Sequence, residues 1–199
     1  MTRLNGVGAA RQVIAVSASG YGVNTATFTA YTRAGSGWQQ TFGPWLAHIG
    51  RNGFAPSGAK REGDGRTPSG SYGFSFFFGV DANPGVRFPW RTVSGPWIVW
   101  DDDPASANYN LWIDDRAQAA GANPEPMDRV PVYAYGAVID YNPARTPGLG
   151  SAIFMHVSSG GSTAGCVSLP VGELLSVLRW LDPAQAPRIV MGTASAITS

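Results

Sequence analysis

Residues 151–170 read SAIFMHVSSGGSTAGCVSLP. The small and apolar residues from Ser151 to Met155 predict a strand, and His156 closes it. A glycine- and serine-rich loop follows and carries Cys166, with Gly165 directly before it. Pro170 suits the first turn of a helix, where its missing N–H would be unpaired anyway. Leu174, Leu175, Leu178 and Leu181 recur at three- and four-residue steps. The helix predicted over Val171–Leu181 therefore has one apolar face.

Outward from this stretch the chain reads as β. Val13–Ser17 is a short apolar run. Ala26, Phe28 and Ala30 alternate with threonines at period two. Trp38–Phe42 is expected to pair with that segment across the Gly35–Gly37 turn. Further strands are predicted at Thr92–Trp100, Tyr109–Ile113, Val132–Asp140 and Arg188–Met191, separated by Pro and Gly clusters. A short helical turn is predicted at Asp115–Ala122. The expected fold is mainly β: a curved antiparallel or mixed β sandwich with one or two short helices. No repeat and no long linker divides residues 1–199, so a single domain is expected.

Composition narrows the function classes. Of the 199 residues, 44% are hydrophobic and only 14% are charged, with 26 Gly and 15 Pro. A polar, uncharged, turn-rich surface is common in exported β proteins. The net charge is +1, which offers no footprint for nucleic acid and no polybasic membrane anchor. No stretch is long and apolar enough for a transmembrane helix. Met1–Ala18 lacks the layout of a secretory leader. An extracytoplasmic location is the expectation, with any leader lying outside this sequence.

The chain has one cysteine and two histidines. A lone cysteine forms no intramolecular disulfide and no cysteine metal cluster; it is either a small buried hydrophobe or a reactive thiol. The layout favours the second. A base at the end of a rigid strand stands ten residues before a thiol in a tight loop. A nearby imidazole can take the thiol proton, and the backbone N–H groups near Gly165 and Cys166 offer an oxyanion hole. No metal site and no cofactor is implied.

Thr163–Val167 (TAGCV), downstream of a strand ending in His156, resembles the [Ser/Thr]-x-Gly-Cys signature of L,D-transpeptidase (YkuD-like) catalytic domains. Gly58–Phe74 (GAKREGDGRTPSGSYGF) resembles that family's Gly-Asp-Gly-x-Thr-Pro-x-Gly segment. Val138–Pro143 (VIDYNP) is similar to its strand and turn before the histidine. The blocks stand in the family's order, over a core of about residues 43–192. The resemblance implies a cysteine acyltransferase acting on peptidoglycan stem peptides through a thioester, and acylation by carbapenem-type β-lactams. It implies Cys166 as nucleophile, His156 as base, Gly165 beside the nucleophile and Thr163 opening the motif. It also suggests a backbone carbonyl just after the histidine as the group that orients it. Ser158, Asp140 and Asn142 are the other candidates for that task. Three features depart from the family pattern. Ala164 stands where many members have a second histidine. Val167, Ser168 and Leu169 stand where many have an arginine. The interval from His156 to Cys166 is also shorter.

His48 is a candidate for the rim of the site. Lys60, Arg61, Glu62, Asp64 and Arg66 form a charge-dense patch, expected to be a salt-bridged turn, with Arg66 or Lys60 as candidates to meet a substrate carboxylate. Asp101–Asp103 lacks the alternate spacing of a calcium loop and reads as a turn. Trp97, Trp100, Tyr109 and Trp112 either pack the sheet or line a groove. Three readings follow: a transpeptidase, a carboxypeptidase or endopeptidase in which water accepts the acyl group, and a cell-wall-binding domain without turnover.

Overall fold

Small and β-branched residues at period two build the first meander. The structure, a computed structural model, describes residues 4–198. β1 (Gln12–Ala18) pairs with β2 (Thr25–Ala34), and β2 with β3 (Gly37–His48). Ala26, Phe28 and Ala30 are buried, and the turn aligns Ala34 with Gly37. β4 (Phe54–Ala55), β5 (Thr67–Pro68) and β6 (Gly70–Tyr72) are short. β7 (Phe74–Gly79), β8 (Trp90–Thr92), β9 (Ile98–Asp101), β10 (Leu111–Asp114) and β11 (Glu125–Pro126) follow. β12 (Gly136–Ile139), β13 (Phe154–Val157), β14 (Val167–Leu169) and β15 (Arg188–Thr193) complete the strands. The helices are α1 (Val171–Trp180) and α2 (Ala194–Ile197).

Ten strands form one mixed sheet, in the order β6-β15-β1-β2-β3-β14-β13-β12-β7-β8. β1/β15, β13/β14 and β7/β8 pair in parallel. The sheet curls onto itself. Ile14 and Phe28 from one end share a core with Phe77 and Ile139 from the other, and Leu174, Val177 and Leu178 of α1 close it. Mainly β, mixed and curved, with two short helices, is the architecture expected. The two halves of the sheet meet where β3 joins β14, through the pairing of Ser168 with His48.

Some local expectations fail for physical reasons. The turn expected at Asp115–Ala122 is shorter than predicted: the Ala117 and Gln118 N–H groups donate to the Asp114 carbonyl, and it stops there because Asp115 Oδ1 takes the Ala120 N–H at 2.9 Å. Thr92–Trp100 is two strands, because Ser94, Gly95 and Pro96 interrupt it. The strand expected from Val132 begins at Gly136. Before it, the Tyr133 and Ala134 N–H groups are taken by a turn onto Arg129 and Pro131. β7 was invisible, since FSFFFG has no alternation.

Candidate active site

The loop that carries Cys166 is pinned through its main chain. Thr163 Oγ1 donates to the Cys166 carbonyl at 2.8 Å, and Thr67 Oγ1 donates to the same oxygen at 3.3 Å. Thr67 belongs to the Gly58–Phe74 block, so two motifs distant in sequence hold one residue. Gly165 has φ +157°, and a Cβ there would lie 3.0 Å from the Arg66 carbonyl and 3.2 Å from Ile153 Cδ1. Only glycine fits. Its N–H donates to Thr163 Oγ1 at 3.1 Å, so this expected oxyanion donor is already committed.

The Cys166 residue is 7% exposed. Its Sγ accepts the Phe154 N–H and donates to the Ala152 carbonyl, both at 3.3 Å. Ala152 reaches that oxygen from φ +52°, a left-handed conformation that alanine adopts at a cost. Burial pushes the thiol up to about 12.

His156 comes from the neighbouring strand, β13, and lines the same cleft. Its Nδ1 lies 2.8 Å from the Val157 carbonyl. A carbonyl only accepts, so Nδ1 carries the proton and Nε2 keeps its lone pair. Burial holds the imidazole down at about 4. The Tyr133 ring meets it edge-on at 5.5 Å between centroids. The resting pair is thus a neutral thiol and a neutral imidazole.

The cleft encloses about 330 Å³. Glu62, Asp102 and Glu125 line it, together with Arg51, Lys60 and Arg129. Most of these charges are spoken for. Lys60 Nζ donates to Asp64 Oδ1 at 2.7 Å. Glu62 Oε2 accepts from the Ser151 hydroxyl at 2.7 Å and from the Tyr109 hydroxyl. Glu125 Oε1 accepts from Tyr133 at 3.0 Å and from Arg129 at 3.3 Å. Asp102 forms no ion pair among the described residues, and burial together with the Glu62 charge pushes its carboxyl up to about 6.

Cys166, His156, Gly165 and Thr163 therefore stand around one cleft. Ser158, His48 and Arg66 stand outside its lining. Ser158 Oγ lies 3.3 Å from His48 Nδ1 rather than at His156. Arg66 is exposed, and its carbonyl, not its guanidinium, faces Gly165. Asp140 and Asn142 also lie away from His156; Asn142 holds the turn before Gly150. Trp100 and Trp112 line a second cavity, beyond Ile153, while Tyr109 is buried under Glu62. Sequence reasoning missed Arg51, Asp102, Glu125, Arg129, Tyr133 and Ser168 as lining residues. They come from loops or short strands without periodicity, which give no local signal.

No curated protein and no solved structure matches the chain. A family model, YkuD, the L,D-transpeptidase catalytic domain, matches residues 22–191. That span opens before β2 rather than at residue 43 and takes in both the cysteine loop and the Gly58–Phe74 block. The chain belongs to the L,D-transpeptidase catalytic-domain family.

Proposed function

We propose that the chain is an extracytoplasmic peptidoglycan L,D-transpeptidase that uses Cys166 as nucleophile and His156 as general base. The observation that carries this reading is the tautomer of His156. Its Nδ1–H is fixed on Val157, which leaves the Nε2 lone pair free on a residue that lines the same cleft as the thiol.

The steps follow from neutral partners. The thiol leaves the Ala152 carbonyl, and its proton passes to His156 Nε2 as sulfur bonds to the stem-peptide carbonyl carbon. The C–N bond then breaks, and the imidazolium returns the proton to the departing amine. This leaves a thioester on Cys166. An acceptor amine attacks the thioester and gives a proton to His156. The C–S bond breaks, the new amide forms, and sulfur regains its proton. Burial of the thiol and imidazole excludes water from these transfers. Asp102, the lining carboxylate without an ion pair among the described residues, supports an amine as acceptor: it can hold the amine and take the proton that its ammonium form must lose before attack.

The test is to incubate the protein with muropeptides carrying tetrapeptide stems and to analyse products by mass spectrometry. Cross-linked dimers and loss of the terminal residue are expected, both abolished by Cys166→Ala. Shortened stems without dimers would replace transfer by hydrolysis. Unchanged muropeptides, together with no carbapenem adduct on Cys166, would refute the reading in favour of a binding domain.

A further inference from the structure

Ser168 follows Cys166 by two residues and is the middle residue of β14, which begins directly after the cysteine. In register Ser168 stands opposite His156 on β13 and His48 on β3. It lines the same cleft as the thiol and the imidazole. The residue is 1% exposed, and its Oγ has no hydrogen-bond partner among the described residues. Its flanking residues, Val167 and Leu169, are fully buried and apolar. His48 Nδ1 lies 3.3 Å from the Ser158 hydroxyl.

A buried hydroxyl left unpaired costs more than a made bond returns, and alanine at this place would avoid the cost. The hydroxyl lies where a ligand in the cleft can complete it. Two residues along a strand span about 7 Å. A peptide with its scissile carbonyl on Sγ can therefore reach Ser168 with main-chain atoms of an adjacent residue. His156 stands beside Ser168 and hands its proton to the departing nitrogen, which places that next residue on the leaving side.

We propose that Ser168 is a specificity-determining residue whose hydroxyl hydrogen-bonds the main chain of the substrate residue after the scissile bond. The inference rests on the transpeptidase reading and adds to it a contact that recognises the leaving residue.

The experiment compares two acyl donors with the same acyl part. One is the stem peptide; the other is an activated aryl ester, whose leaving group has no main-chain atoms. For Ser168→Ala, kcat/KM on the peptide is expected to fall roughly three- to tenfold, the value of one neutral hydrogen bond. Acylation by the ester stays within about twofold of wild type, and Tm stays at or above wild type, because an unpaired polar group has been removed. The isosteric pair Ser168→Thr and Ser168→Val repeats the comparison at fixed shape, with Thr expected to exceed Val on the peptide only. Equal losses on both donors, or no loss on either, overturn the proposal. If wild type acylates with neither donor, the transpeptidase reading fails first and this inference with it.

Discussion

Alkylation of Cys166 tests whether its side chain rests as a thiol or a thiolate. Burial moves the group from the ordinary 9.0 to about 12. At pH 8 the thiolate fraction is then about one in ten thousand, against about one in ten for an exposed cysteine, from the protonation equilibrium alone. Iodoacetamide should therefore react on the order of a thousandfold more slowly with the folded protein than with the urea-unfolded chain. The rate should rise about tenfold per pH unit from pH 6 to beyond pH 10. His156→Gln should leave the profile in place, since a neutral imidazole supplies no charge to the thiolate. The chain has one cysteine, so whole-protein mass reads this one site. A plateau below pH 8 in the folded protein would refute the reasoning, because it requires a preformed thiolate–imidazolium pair.

Four further outcomes are expected. His156 titrates at about 4 folded and at 6.5 unfolded, so the unfolded chain takes the proton first and stability falls as pH drops through that window; over the full shift the loss is about 3 kcal/mol. The shift of Asp102 runs the other way in part of the same window, so the measurement is the urea midpoint of wild type minus that of His156→Gln, and a pH-independent difference would contradict the assignment. Gly165→Ala forces a Cβ against the Arg66 carbonyl and should cost about 2 kcal/mol by chemical denaturation, together with carbapenem labelling; wild-type labelling would show that the loop tolerates the change. Thr163→Val and Thr67→Val each remove a donor to the Cys166 carbonyl and strand a backbone N–H, of Gly165 and Gly50 respectively, at about 2 kcal/mol apiece, and the double variant should depart from additivity because the Cys166 acceptor is shared. Asp102→Asn should lower the ratio of cross-linked dimer to shortened stem in muropeptide chromatograms, and an unchanged ratio would remove Asp102 from acceptor binding.

The fold was legible where one residue type repeats. The Thr/Ala alternation in β2 and the leucine face of α1 mark their elements, because each buries a single side. β7 and the β13/β14 pairing were not legible: the first is a continuous aromatic run, and the second is a parallel contact between strands of four and three residues. That Cys166, His156, Gly165 and Thr163 line one cleft was readable because all four lie in one twenty-residue stretch. Asp102, just past the end of β9, and Glu125, on β11, reach the cleft from a separate three-stranded sheet, order β10-β9-β11, and no local pattern announces such a meeting. Arg66 failed as a cleft cation because its loop presents a main-chain oxygen to Gly165. Ser158 failed as the orienter of His156 because Val157, one residue nearer, offers its carbonyl first.

The union of β3 with β14 at Ser168 and His48 has a mechanical consequence. The ladders on either side run for several residues, whereas β3 and β14 share a single rung, backed by Thr163, whose N–H donates to the Ile49 carbonyl at 2.9 Å and whose carbonyl accepts from the Arg51 N–H at 2.8 Å. Gentle denaturation should part the joint while both ladders keep their amides protected. Ser168 is the rung, and His156 stands beside it, so catalysis should fade before the spectroscopic signal of the strands does. An enzyme built this way reports damage through its activity first, and engineering for heat resistance should begin by stitching that one crossing.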